Sequence, residues 1–302
     1  MKINLVKNGI FPILKDENGE DIIGSLDTGF KVSGTIQGEG KLIGTPCLFI
    51  RTSGCNLRCS WVGSDGNGSP CDTPYSSHNP EKNMMEIDSI IKILNANRGN
   101  ISHVVISGGE PTLQKELGEL LMRLSIEGFH TTIETNGTIY DTKVSKYTNL
   151  FSISPKLSTS TPWSENLKNT GIEFSLKWAE KHEETRIKRE VLQNYINDCY
   201  EFSYSEDNMS LFPSGHDYSK KLRNKDFQLK FVVSSMDDIK EIEEIVSCLN
   251  GVYPSDICLM PEGILPDDLM NKSGWVVMEA IKRGWRFTPR LHSLMFGTKR
   301  GV

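Results

Sequence analysis

Cys55, Cys59 and Cys71 lie in the run GCNLRCSWVGSDGNGSPCDTPYSS, directly after the apolar stretch 45–52. Two thiolates separated by three residues, with a third a short loop further on, can hold three corners of an iron–sulfur cube. Closed cysteine-only clusters use four such ligands, so three would leave one iron open. An open coordination position takes a substrate or cofactor, by the logic that separates catalytic from structural zinc sites. The same residues also allow a three-cysteine zinc site or scattered buried thiols, and CxxxC alone does not separate these possibilities.

Further short motifs follow in order. Ser-Gly-Gly-Glu-Pro occupies 107–111, Glu-Thr-Asn-Gly 134–137, Ser-Pro-Lys 154–156 and Met-Pro-Glu-Gly 260–263; Gln-Gly-Glu-Gly stands upstream at 37–40, and the chain ends RLHSLMFGTKRGV. Taken singly they say little: a Gly pair is usually a turn, an Arg before a loop a surface charge, a lone His structural. In this order, with CNLRCSW and CDTPYSS, they resemble the radical S-adenosylmethionine superfamily and, within it, the 7-carboxy-7-deazaguanine synthase family. The resemblance covers most of 30–157 and 227–302. It departs in two places. Nine residues, 62–70, are spliced before the third cysteine, and their Gly, Ser and Asn content lets them loop out while Cys59 and Cys71 reach one cluster. Phe296 stands where the family's C-terminal signature has Trp, keeping an aromatic contact but losing an N–H donor.

The resemblance implies a [4Fe-4S] cluster on Cys55, Cys59 and Cys71, with S-adenosylmethionine on the open iron. It places Gly108, Gly109 and Glu110 at the methionine part of that cofactor, Ser154, Pro155 and Lys156 on a further contact loop, and Met260, Pro261, Glu262 and Gly263 near the adenosine. Asp72 is grouped with these contacts, a helix cap or a supporting partner being its alternatives. The implied substrate is 6-carboxy-5,6,7,8-tetrahydropterin, read by Ile36, Gln37, Gly38, Glu39, Arg51, Ser107, His292 and the Val302 carboxylate. A carboxylate such as Glu39 suits the guanidine-like edge of a pterin, and an arginine fork suits its carboxylate. Thr73 is implied as a ligand of Mg2+, an ion that favours hard oxygens and retained waters. The implied reaction is hydrogen abstraction from C6 by a 5′-deoxyadenosyl radical, then ring contraction with loss of ammonia, supplying queuosine-type deazapurines for the modification of tRNA or of DNA. A flavodoxin-like or other electron donor and a homodimer are implied as well. Two alternatives remain at this point: a glycyl-radical-enzyme activase, which shares CNLRC but gives no reason for Gln-Gly-Glu-Gly or the C-terminal run, and a non-catalytic metal-binding module stapled by the cysteines.

These residues need elements to hold them. After residue 45, short β-branched runs at 46–51, 103–107, 130–135, 150–154, 229–233, 257–260 and 286–289 alternate with helical patterns at 85–97, 112–127, 175–200, 237–249 and 267–283. That alternation predicts α/β architecture with a parallel sheet and helices outside it. Each motif falls where a strand runs out, so the motifs should converge on the carboxyl ends of the strands. The resemblance implies a partial, open (β/α)6-type barrel with an insertion after the fourth repeat. One domain, 1–302, is expected, with a hairpin over 1–30 turning at Asn8–Gly9 and a family-variable insertion, 158–225. Charges in that insertion predict a solvated face, with a lid or dimer contact as the sharper alternative. Asp237 or the serines before it should cap the helix at 237–249.

A chain of 302 residues with 24% charged and 37% hydrophobic content can bury one sizeable core. The net charge of −5 gives no basic surface for phosphate contacts, which argues for a small molecule and against nucleic acid. Without an 18-residue apolar run or a secretory leader, a soluble cytoplasmic protein and no membrane partner are expected. Seven cysteines at uneven spacing fit a reducing compartment. Cys47, Cys199, Cys248 and Cys258 are expected to be buried structural thiols.

Overall fold

The computed structural model describes residues 1–24, 26, 28–201, 222–223 and 225–302. Strands β1 (Lys2–Phe11), β2 (Thr35–Ile36), β3 (Pro46–Thr52), β4 (Ser60–Val62), β5 (Gly68–Pro70) and β6 (Asn83–Glu86) precede helix α1 (Ile87–Asn97). Then come β7 (His103–Gly108), α2 (Leu117–Ile126), β8 (His130–Thr135), α3 (Thr142–Tyr147), β9 (Leu150–Ile153), α4 (Leu176–Thr185) and α5 (Arg189–Asn197). The chain continues through β10 (Tyr200–Glu201), β11 (Leu222–Arg223), β12 (Asp226–Val233), α6 (Met236–Ser247), β13 (Ile257–Pro261), α7 (Pro266–Arg283), β14 (Arg286–Phe287) and α8 (Leu291–Phe296).

Strands β3, β7, β8, β9, β12, β13 and β14 pair in chain order, each pair parallel. On the other side β3 pairs antiparallel with β1, and β1 with β6. Because β14 and β6 end the path, the sheet is an open, partial barrel. The strand period of two sorts side chains onto its faces. Leu48 and Ile50, Val104 and Ile106, and Ile133 point outward into one apolar cluster with α1 and α2. Phe151 and Ile153, with Phe227, Leu229, Phe231 and Val233, form a second cluster with α5, α6 and α7. On the inner face Phe11, Cys47, Phe49 and Val105 fill the amino-terminal end. Above them runs a polar row: Arg51 stands in register with Ser107, Glu134 with Ser152, and Ser152 with Gln228.

Several expectations are corrected. Residues 1–30 do not form a hairpin turning at Asn8–Gly9: β1 runs straight through them, with Asn8 at φ 54° and a register shift between Leu5 and Ile10. The left-handed conformation that Asn-Gly favours serves a bulge as readily as a turn, and the bulge lets both ends of β1 stay on β3. The helix expected over 175–200 is two helices, parted where Arg186 bonds Glu183, Glu241 and the Lys156 carbonyl. The stretch 112–127 starts with a single 3-10 turn at Pro111–Leu113 before α2. Ser235 caps α6 in a capping box with Asp238, while Asp237 pairs with Lys240. Cys47, Cys199 and Cys258 are buried, but Cys248 is exposed, because it follows α6 at its solvent end. Within 158–225, SEDNMS at 205–210 and PSGHD at 213–217 lie outside the described residues.

Candidate active site

The chain leaves β3 at Thr52 and enters the cysteine loop through Gly54, whose amide donates to the Ser76 carbonyl at 2.8 Å. The nine-residue insertion does not simply loop out. It folds with its flanks as a two-stranded hairpin in which Ser60 faces Pro70, Trp61 faces Ser69 and Val62 faces Gly68. This register makes the Cys71 amide donate to the Cys59 carbonyl at 3.1 Å, so residues twelve apart in sequence become cross-strand neighbours. The hairpin is braced from the chain's own insertion: Asn166 donates to the carbonyls of Ser60 (2.7 Å) and Thr159 (2.8 Å), and the Gly68 amide to that of Lys168 (2.7 Å). The Arg58 guanidinium lies 4.6 Å from the Trp178 ring of α4, and its amide donates to His182 at 3.2 Å. The part of 158–185 beside the hairpin therefore supports the cysteine loop, while its charges, Glu165, Lys168, Lys177, Glu180 and Lys181 among them, lie exposed as the expected solvated face.

Cys55, Cys59 and Cys71 are free thiols lining one cavity of about 220 Å³. Burial pushes the Cys55 thiol up to about 12 and Cys59 higher still, while nearby Lys156 acts in the opposite direction on both. Among the described residues, no three His, Cys, Asp or Glu side chains converge on a single ion point.

At the carboxyl end of β7, Gly108 and Gly109 line the cavity. A Cβ at Gly108 would meet Thr52, and one at Gly109 the carbonyls of Gly54 and Ser76, each closer than the 3.0 Å that real Cβ contacts do not cross. The glycines are thus required by the backbone of the cysteine loop itself, beyond any approach of a ligand. Glu110 is fully buried and does not line the cavity; its Oε1 accepts from the Thr112 amide (3.1 Å) and the hydroxyls of Thr112 and Thr135 (2.7 Å each), and its Oε2 from the Asn136 amide (2.6 Å). Ser154 and Lys156 line the cavity and bond each other at 2.9 Å; Pro155 does not line it. Met260, Pro261, Glu262 and Gly263 do. Glu262 pairs with Lys272 and accepts from Ser69 at 2.9 Å, joining the β13 end to the hairpin.

A second group of cavity residues is charged. Burial alone would raise the Glu39 carboxyl, but Lys230, then Arg290 and His292, hold it well below the usual carboxylate range. Lys230 is ion-paired with Glu39 and stands 3.9 Å from Glu134. Arg290 spans three loops, through Glu39 at 3.3 Å, the Gly263 carbonyl at 2.7 Å and Asp72. Asp72 is held low by Arg290 against its burial. Gln37 donates to Glu134 at 3.3 Å. Gly38 leaves room for His292, and its carbonyl accepts from the Leu291 amide at 2.9 Å. Gln-Gly-Glu-Gly and Arg-Leu-His are thereby one local structure. Arg51 lies 5.5 Å from the Phe11 ring, and its buried Nε has no partner. Ser107, Thr73 and His292 also line the cavity; Thr73 Oγ1 is 3.5 Å from Cys71 Sγ. Ile36 lies in β2 and, with Gln37 and Gly38, supports the wall without lining it. Val302 is half-buried outside the cavity walls, and Arg300 before it bonds Glu81 and stacks 3.7 Å from Tyr75.

Sequence reasoning missed Glu134, Lys230, Arg290 and Trp61, all of which line the cavity. The signal was present for three of them: Glu134 and Arg290 sit inside quoted motifs, and Lys230 interrupts an apolar strand where helices cover the outer face. Trp61 Nε1 is buried and unpartnered.

A half-barrel whose strand ends gather three cysteines, a Gly-Gly-Glu-Pro turn and a Met-Pro-Glu-Gly turn around one cavity is the arrangement of a radical S-adenosylmethionine protein, and residues 49–181 match the Radical SAM superfamily. A 7-carboxy-7-deazaguanine synthase of Halobacterium salinarum is 37% identical over 264 residues, 85% of this chain and 86% of its own length. One from Rhodopirellula baltica is 33% identical over 266 residues, 88% of this chain and 85% of its length. The chain belongs to the 7-carboxy-7-deazaguanine synthase family. The crystal structure of QueE from Escherichia coli has the same fold, with a TM-score of 0.53 at 21% identity, covering 94% of this chain and 95% of that one. Membership brings a [4Fe-4S] cluster and S-adenosylmethionine, and the residues present fit both: three thiols on one cavity, open lining beside them at Gly108 and Gly109, and polar groups at Ser154 and Lys156. The enzyme acts on a small molecule, and among the described residues no helix is long and apolar enough to cross a membrane.

Proposed function

We propose that this cavity converts 6-carboxy-5,6,7,8-tetrahydropterin to 7-carboxy-7-deazaguanine with loss of ammonia. The observation that carries this is that one cavity is lined both by three thiols and by the ionised Glu39 with Arg51, whose buried Nε is unpaired. Held by Cys55, Cys59 and Cys71, the cluster would with S-adenosylmethionine supply the hydrogen-atom abstraction required at C6. The chain's part is to bind, orient and exclude water. Glu39 accepts from the amino-pyrimidine edge, Arg51 donates to the substrate carboxylate, and Ser107 and His292 fix the ring between them. A buried donor left unpaired costs about 1–3 kcal/mol, so Arg51 gains from an incoming carboxylate. Thr73 Oγ1 offers Mg2+ a hard ligand beside that carboxylate. Ser154, Lys156 and the 260–263 turn hold S-adenosylmethionine, and Asp72 supports them through Arg290. A flavodoxin-like or other reductant, a homodimeric state and a cytoplasmic setting belong to the same proposal. Anaerobic reconstitution with iron and sulfide tests it: the reduced cluster's paramagnetic spectrum should change on adding S-adenosylmethionine, and the pterin should give product and ammonium in equal amounts. A loaded protein whose spectrum ignores S-adenosylmethionine would overturn it.

A further inference from the structure

Lys230 projects from β12 onto the inner face of the sheet, two residues beyond Gln228, and is only 5% exposed. The residues flanking it, Leu229 and Phe231, turn outward into the apolar cluster, so helix packing does not need the amine. A buried ammonium is costly unless paired, and it persists here between two carboxylates that line the cavity. The charged and titratable groups facing Glu39 come from four elements: Lys230 from β12, Glu134 from β8, Arg290 and His292 from the start of α8, and Asp72 from the cysteine loop. Of these, Lys230 is the cation within 4.0 Å of both Glu39 and Glu134, while His292 bears on both from further off.

We propose that Lys230 is a positioning residue for the substrate: by pairing with Glu39 and standing beside Glu134, it keeps both carboxylates turned into the cavity as acceptors for the N–H edge of the bound pterin. This rests on the function proposed above. Without the cation, Glu39 and the partly exposed Glu134 lose the ammonium they share, and Glu39 keeps Arg290 at 3.3 Å and His292 at 3.9 Å. Losing the strongest of the charges that oppose its burial raises the proton affinity of Glu39, though Arg290 and His292 still act against it; as pH falls it takes a proton sooner than in the parent and ceases to be a full acceptor.

The test compares Lys230→Met with the parent as cluster-loaded holoenzymes, measuring kcat and KM for 6-carboxytetrahydropterin between pH 6 and 8.5, iron content and S-adenosylmethionine affinity. Iron and cofactor binding should stay at parental values. KM should rise at least tenfold at the acid end and clearly less at the alkaline end, with kcat changing less than KM. Lys230→Arg, which keeps the charge, should restore the parental pH profile. If the Met variant fails to load, Lys230→Gln, which keeps a donor without charge, carries the same comparison. A parental KM in the Met or Gln variant, or a rise by the same factor at every pH, would overturn the proposal. Loss of the cluster in the Met, Gln and Arg variants alike would overturn it too, marking Lys230 as structural. A parent enzyme that leaves the pterin unchanged would instead refute the assigned function, and the positioning role with it.

Discussion

Replacing Gly109 with alanine puts a methyl group against the Gly54 and Ser76 carbonyls, closer than 3.0 Å to backbone on both sides. Neither carbonyl can swing away as a flexible side chain would. The Glu110 amide donates to Gly54 O and the Gly54 amide to Ser76 O, each at 2.8 Å, so both carbonyls are held by hydrogen bonds. Overpacking of this kind costs about 1–3 kcal/mol, and loosening each of the two hydrogen bonds adds about 0.5–1.5 kcal/mol. Gly109→Ala should therefore destabilise the iron-free protein by about 2–6 kcal/mol, a large share of an ordinary domain's stability. Urea unfolding of iron-free protein reads this directly as a lower midpoint at unchanged slope. Gly54 immediately precedes Cys55, so the variant should also retain less iron after reconstitution. A variant with the parental midpoint and full iron, but weaker S-adenosylmethionine binding, would refute the packing argument. It would show that Gly109 serves only the approach of the ligand.

Cys71→Ala should lose the cluster and all S-adenosylmethionine cleavage while Cys199→Ala, at a fully buried position outside the cavity, keeps both; iron analysis decides, and a loaded Cys71→Ala protein would contradict the assignment. Asn166→Leu keeps volume but strands the Ser60 and Thr159 carbonyls, which should cost about 2–4 kcal/mol and speed iron loss to a chelator; unchanged stability and iron release would remove the insertion's bracing role. Thr73→Val nearly keeps shape and removes the oxygen, so substrate KM should rise and lose its response to Mg2+, with S-adenosylmethionine affinity little changed; an equal Mg2+ response in both proteins would argue against Thr73 as ligand.

The parallel strands were legible because helices cover their outer faces, so each reads as an apolar run bounded by turns. Legible too was the convergence of the motifs, since Ser107 to Gly109, Glu134, Ser154 and Met260 to Gly263 all stand where a strand ends. Harder to read was what lies between strands. Arg51, Ser107, Glu134, Ser152 and Gln228 share one row only once register is known, and register is not written in any single run. The hairpin at Ser60–Pro70 was hidden by its turn residues, which equally suit a loose loop until Ser69, Gly68 and Asn67 find partners a hundred or more residues away. Asn8–Gly9 misled for a related reason: a positive φ is common to turns and bulges, and only the neighbouring strand selects between them. Glu110 shows the same limit from the other side, since its acceptor role could be expected but not that Thr112, Thr135 and Asn136 would take it.

The most direct measurement follows a deuterium atom. With substrate labelled at C6, S-adenosylmethionine and a reductant under anaerobic conditions, the loaded enzyme should form 7-carboxy-7-deazaguanine while deuterium appears in the 5′ position of the S-adenosylmethionine pool. Cleavage of S-adenosylmethionine with the label still on unchanged pterin would contradict the claim that the three thiols and Glu39 line one active site.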